Sequence, residues 1–88
     1  MDFDWHDEKA RAERGFGFGF ENAVGVFLGR VVEWPDLRQA YGEPRMIAVG
    51  ETGGRFYTVV HTDRGPVRWI ITAWPSNRKE RARWRSSV

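Results

Sequence analysis

Six basic side chains of the C-terminal half, Arg45, Arg68, Arg78, Lys79, Arg81 and Arg85, are interleaved with Trp74 and Trp84. Guanidinium groups pair with phosphate in a bidentate way, and indole faces stack on unpaired bases. Such a set could hold single-stranded nucleic acid. It could also cleave RNA without a metal. A base takes the 2′-hydroxyl proton, cations steady the phosphorane-like transition state, and an acid protonates the leaving oxygen. Glu43, Lys9 and His61 could move the protons, and Arg45, Arg68 and Arg81 could supply the charge. The chemistry needs its cations in one pocket, and guanidinium groups from separate strands and the terminal helix are expected to meet there. In the competing reading, the arginines pair with acids and the tryptophans only pack. The residues alone leave both readings open.

Other chemistries find less support. His6 and His61 are the only histidines, and neither sits in a ligand-spaced cluster, so no metal site is expected. Cysteine is absent and the serines are confined to the C-terminal helix and its flanks, which leaves no nucleophile triad. "GFGFGF" at 15–20 has alternating glycines but lacks the third glycine of a dinucleotide loop, where Phe20 stands. No Walker lysine follows. The segment reads as a connector, with glycines to turn the chain and phenylalanines to anchor it.

The elements that must position these residues follow from pattern. "MDFDW" alternates acids with Phe3 and Trp5, as a short edge strand or lead-in would. "HDEKARAER" has acids early and bases late, matching the helix dipole, with Asp7 as its N-cap. Phe20, Ala23, Val24, Phe27 and Leu28 form one apolar helix face that Gly29 ends. A short strand, Val31 to Trp34, stops at Pro35 and gives way to an irregular acidic loop. Three strands then follow, "RMIAVG", "RFYTVVHT" and "VRWIITAW", joined by "ETGG" and "DRGP" turns short enough for hairpins. In the last strand Val67, Trp69, Ile71 and Ala73 are expected to face the core. Asn77 and Glu80 make a capping-box start for a basic C-terminal helix.

Composition sets the outer bounds. Eighty-eight residues suit one small domain spanning 1–88, whose thirteen aromatics help a small core. Residues 1–44 carry nine acids and five bases, a net of −4, and residues 45–88 carry three acids and nine bases, a net of +6. A basic half suits a polyanion or an acidic protein as partner. No apolar run approaches the roughly 20 residues of a membrane span, and the acidic N-terminus is unlike a signal peptide, so a cytoplasmic location is expected.

The order of motifs is also familiar. "FDW…EK", "FENAVGVF", Asp36, "YGEPR", "TVVHTDRG", "VRWIITA" and "NRKERARW" together resemble the BrnT family across nearly the whole chain. Its members are toxins of bacterial type II toxin–antitoxin pairs. The resemblance implies a RelE-like α+β fold: two N-terminal helices, a three-strand antiparallel meander with short N-terminal strands, and one C-terminal helix. It implies a ribonuclease that cuts RNA and inhibits translation; no cofactor is expected. It also implies a ribbon-helix-helix antitoxin, through which the pair contacts operator DNA only indirectly. On this reading Glu43, Arg45, Arg68, Arg81 and Lys9 would be catalytic, while Arg78, Lys79, Arg85, Trp74 and Trp84 would bind RNA. Trp74 stands where the family ends its strand with Arg, Trp84 where it has Tyr, and "GFGFGF" occupies a Lys-His-Gly region. These departures motivate two alternatives: a non-cleaving antitoxin-binding co-repressor, or a plain RNA binder.

Overall fold

The computed structural model describes residues 2–5 and 19–87. Five strands form one sheet: β1 (Asp2–Trp5), β2 (Val31–Pro35), β3 (Met46–Thr52), β4 (Arg55–Arg64) and β5 (Val67–Pro75). Helix α1 (Phe20–Val26) precedes β2, and helix α2 (Arg78–Ser86) follows β5. The strand order is β1-β5-β4-β3-β2.

This α+β arrangement corrects the expected architecture in two respects. The sheet is five-stranded and mixed rather than a three-strand meander. β2 pairs antiparallel with β3, and β1 pairs in parallel with β5. Two helices occur among the described residues, one before and one after the main run of strands, where three were expected. The expected polar helix in "HDEKARAER", the first four residues of "GFGFGF", and with them Lys9 and His6, lie outside the described residues.

The β3–β4 hairpin turns on Gly53 and Gly54, with φ of 59° and 79°. Two successive positive φ values define the type I′ turn, whose twist matches the flanking strands and which disfavours side chains. Midway along β4 the register slips. Val60 pairs with Thr72 but His61 pairs with Ile70, so Ile71 is the extra residue of a bulge. The slip overturns the simple alternation expected of β5. Ile70, 1% exposed, shares the inner face with Ala73, whereas Val67, Trp69 and Ile71 are only half-buried. Arg68, two residues before Ile70, falls on that same inner face.

Helix α1 covers this face. Trp5, Ala23, Val26, Tyr57, Val59, Ile70 and Ala73 form the core, with Phe3, Phe27 and Val31 packed against it. Each fully buried aliphatic side chain contributes about 1.5–3 kcal/mol. The helix is shorter than the periodicity suggested. It stops at Val26, which is buried, and leaves Leu28 85% exposed. The opposite face carries α2. Its Asn77 side chain accepts from the Glu80 amide at 2.9 Å, and Glu80 accepts from the Asn77 amide at 2.8 Å. Phe56 and Trp84 meet edge to face with ring centroids 5.0 Å apart. None of these helices is long and apolar enough to cross a membrane.

Gly50 lets α1 sit close to the sheet. A Cβ there would lie 2.8 Å from Val26 Cγ1 and 3.1 Å from the Val26 carbonyl oxygen. Gly50→Ala is therefore expected to lower stability by about 1–3 kcal/mol, read as a drop in the urea midpoint. An unchanged midpoint would mean that α1 rides outward at no cost.

Candidate functional site

The β2–β3 loop, residues 36–45, is fixed at both ends and in its middle. The Asp36 amide donates to the Arg45 carbonyl at 2.8 Å, closing the base of the loop. Thr62 Oγ1 donates to the Pro44 carbonyl at 2.6 Å and ties the loop to β4. The Asp36 side chain is fully buried and accepts from Arg38 Nε and Nη2, both at 2.7 Å. That pairing, assisted by Tyr41, lowers the Asp36 pKa to about 2. Arg38 also reaches to 5.7 Å from the Trp74 ring, so the loop folds back over the α2 side of the sheet. The loop and the adjoining ends of β2 and β3 line a cavity of about 360 Å³, bordered by Leu37, Tyr41, Glu43 and Arg45.

At the mouth of this cavity a carboxylate stands between two guanidinium groups. Arg64 Nη2 donates to Glu43 Oε1 at 3.0 Å, and Arg45 Nη2 lies 3.8 Å from the same oxygen. Arg45 is stacked 4.1 Å over Tyr41, and Arg64 sits 5.1 Å over Trp69. The Arg64 hydrogen bond, more than any other influence, holds the Glu43 pKa below the ordinary glutamate value. Glu43 is therefore ionised at neutral pH. Arg45 Nε is buried and has no hydrogen-bond partner among the described residues.

A second polar cluster lies across the sheet, under α1. His61, 1% exposed, makes a 2.9 Å hydrogen bond from Nε2 to Glu33 Oε1. A carboxylate can only accept, so His61 Nε2 is the donor and Nδ1 is left as a bare acceptor. Phe27 packs edge-on against the imidazole at 5.0 Å. Arg68 donates from Nε and Nη2 to Asp63 at 2.8 and 2.9 Å and lies 4.8 Å over Phe27. Burial, then the positive charge of Arg68, lower the His61 pKa, outweighing the opposite pull of Glu33 and Asp63.

The third group clusters around α2. Trp74 Nε1 donates to Glu80 Oε1 at 3.2 Å, and Arg81 Nη1 donates to the Ser76 carbonyl at 2.6 Å. Trp84 Nε1 donates to the Arg30 carbonyl at 2.9 Å, while the Arg30 guanidinium lies 3.7 Å over the Trp84 ring. Arg83 stacks 3.8 Å over Trp34, and Arg85 lies 5.2 Å over Phe56. Arg78 and Lys79 are exposed. None of Arg30, Arg78, Lys79, Arg83 and Arg85 has an acidic partner within 4 Å among the described residues.

These placements separate the residues that sequence reasoning had grouped. Glu43 and Arg45 come together. Arg68 lies on the opposite face of the sheet, bound to Asp63. Arg81 is bonded to Ser76, whose amide donates to the Phe56 carbonyl, whereas Pro44, next to Arg45 in sequence, is held by Thr62. Six residue steps along β4 divide those two levels, roughly 20 Å. Sequence reasoning assigned no role to Arg64, although it sits in "TVVHTDRG", which served as a turn signal and as a family motif. Its distance of two from Thr62 puts both side chains on the loop-bearing face, a clue the hairpin register supplies. Asp36 and Tyr41 were noticed as motif positions without a role.

Residues 5–80 match a family model described as the ribonuclease toxin, BrnT, of type II toxin–antitoxin systems. No curated protein matches the chain.

The buried imidazole has a measurable consequence. The His61 pKa is lower folded than unfolded, so between those two values the unfolded chain binds more protons. The stabilising effect is complete above the ordinary histidine value and fades as pH falls below it. The urea midpoint is expected to drop between pH 7.5 and pH 5.5, and His61→Gln is expected to flatten that drop. An identical slope in the variant would show that His61 titrates normally.

Proposed function

Because this chain belongs to the BrnT family of ribonuclease toxins from type II toxin–antitoxin systems, we propose that it cleaves RNA without a metal, using the group at the mouth of the β2–β3 loop cavity. The observation that carries this reading is a carboxylate flanked by two guanidinium groups, Glu43 between Arg45 and Arg64. Glu43, ionised at neutral pH, accepts the proton of the attacking 2′-hydroxyl. Arg45 and Arg64 neutralise the charge that builds on the phosphate oxygens, as fixed cations do best in a partly desolvated site. The leaving 5′-oxygen takes a proton from solvent. Stacking on Tyr41 and Trp69 keeps both guanidinium planes in position before substrate arrives.

The basic surface of α2 carries the flanking RNA. Arg78, Lys79, Arg83, Arg85 and Arg30 are available to phosphates, and Trp34 and Trp84 hold two of them flat. Trp74 and Trp84 act through position: their N–H groups anchor α2 and its neighbours. Arg81 fixes the β5–α2 corner through the Ser76 carbonyl. The partner that silences this surface is a ribbon-helix-helix antitoxin, and operator DNA is reached only through it. Lys9 remains a candidate on the motif alone.

Antitoxin-free protein is expected to degrade RNA in EDTA, with Glu43→Gln and Arg45→Ala each slower by at least about tenfold. Arg68→Ala is the comparison. If the rate falls with Arg68→Ala and not with the other two, the chemistry belongs to the α1 face instead. The acid limb of the pH–rate profile offers an independent check. Arg64 holds the Glu43 pKa down, so Arg64→Ala should move that limb to higher pH, and an unmoved limb would remove Glu43 as the base.

A further inference from the structure

We propose that the cavity lined by the β2–β3 loop is a base pocket. It takes one unpaired nucleobase of the RNA strand and thereby decides where that strand is cut. This rests on the ribonuclease reading above, because Glu43 and Arg45 border the same cavity. A backbone held at those two side chains leaves a neighbouring base at the opening.

Four features fit that occupant. The cavity, about 360 Å³, falls at the low end of the roughly 300–1,000 Å³ range of small-ligand sites. Its walls are largely apolar, with Leu37, Ala40, Pro44 and Met46 among them, which suits the flat face of a base and not a phosphate. Leu37 is 85% exposed on a loop that is otherwise tightly held, so it has no packing role of its own. A base laid against it would cover it. Gln39 also lines the cavity, is exposed, and has no hydrogen-bond partner among the described residues. A free carboxamide offers a donor and an acceptor side by side, the pattern that reads base edges.

The pocket is also formed in advance. Asp36 and Arg38 lock one side of the loop and Thr62 locks the other, so little ordering cost falls on binding. Unpaired bases are the part of RNA that proteins read in sequence-specific fashion, splayed out and held edge and face.

The test uses antitoxin-free wild type, Leu37→Ala and Gln39→Ala, each checked for folding by circular dichroism. Cut sites are mapped by sequencing the 5′ ends produced from a mixed-sequence RNA. Binding is followed separately by fluorescence anisotropy with 2′-deoxy oligomers of A, C and T, which lack the attacking hydroxyl and stay intact. The wild type is expected to prefer one base beside the cut and one oligomer over the others. Both variants are expected to shrink that preference by about fivefold or more. Cutting with an unaltered base preference in both variants overturns the pocket and leaves the ribonuclease standing. Absence of cleavage in the wild type, with oligomer preference present and lost in the variants, overturns the ribonuclease reading and keeps the pocket. Weakened antitoxin binding with unchanged base preference assigns the cavity to the protein partner and overturns the proposal.

Discussion

A carboxylate taken out of water costs several kcal/mol unless charge and hydrogen bonds replace its hydration. Asp36 meets that condition through two bonds from Arg38, one from the Arg38 amide and the help of Tyr41. Because those partners come from the same loop, satisfying Asp36 dictates the loop's path. The chain is bent back over the sheet, Tyr41 is presented to Arg45, and Glu43 is delivered to Arg64. Remove the aspartate's charge and the cavity, the carboxylate and its two cations lose their common support.

The two faces of the sheet use charge differently. Under α1, His61 and Arg68 are enclosed among Phe27, Glu33 and Asp63, and Arg68 is only 18% exposed. Burial there favours neutrality for the imidazole and pairing for the guanidinium, an arrangement that strengthens the inner face. On the loop-bearing face the wetter guanidinium is that of Arg64. Arg64 is 52% exposed and Glu43 28%, so their pairing is easily exchanged for a ligand. A site that must release its partners to bind a phosphate is better placed on this second face. The tryptophans at 74 and 84 belong with it as structural pieces, since each indole N–H is committed to a neighbour.

Much of the scaffold could be read from the residues, and particular misreadings have physical causes. Both hairpins are announced by Gly-containing turns, and the capping box at Asn77 and Glu80 is a local signal that the structure repeats bond for bond. The inner face of β5 was misjudged because alternation assumes an unbroken ladder, and one extra residue at Ile71 inverts it. The same slip moved Arg68 away from Arg45. The parallel pairing of β1 with β5 spans more than sixty residues, beyond what local pattern carries. Arg64 was overlooked because a residue at a hairpin's end reads as a turn former, and its cross-loop partner Glu43 is 21 positions distant. At the loop, a short motif singled out Glu43 and Arg45, while Asp36, which organises both, was noticed as a motif position and given no role.

The parallel pairing of β1 with β5 also sets an order in time. Trp5 is a core residue whose strand lies against Ile70, so the opening of the chain has no edge to join until residues 67–70 have been synthesised. Loop closure over that separation must await the synthesis of β5. While its own message is being read, the growing polypeptide therefore lacks a completed inner layer beneath α1. Nascent molecules whose β5 has not yet left the ribosome stay immature, an interval in which a partner already present can reach them first.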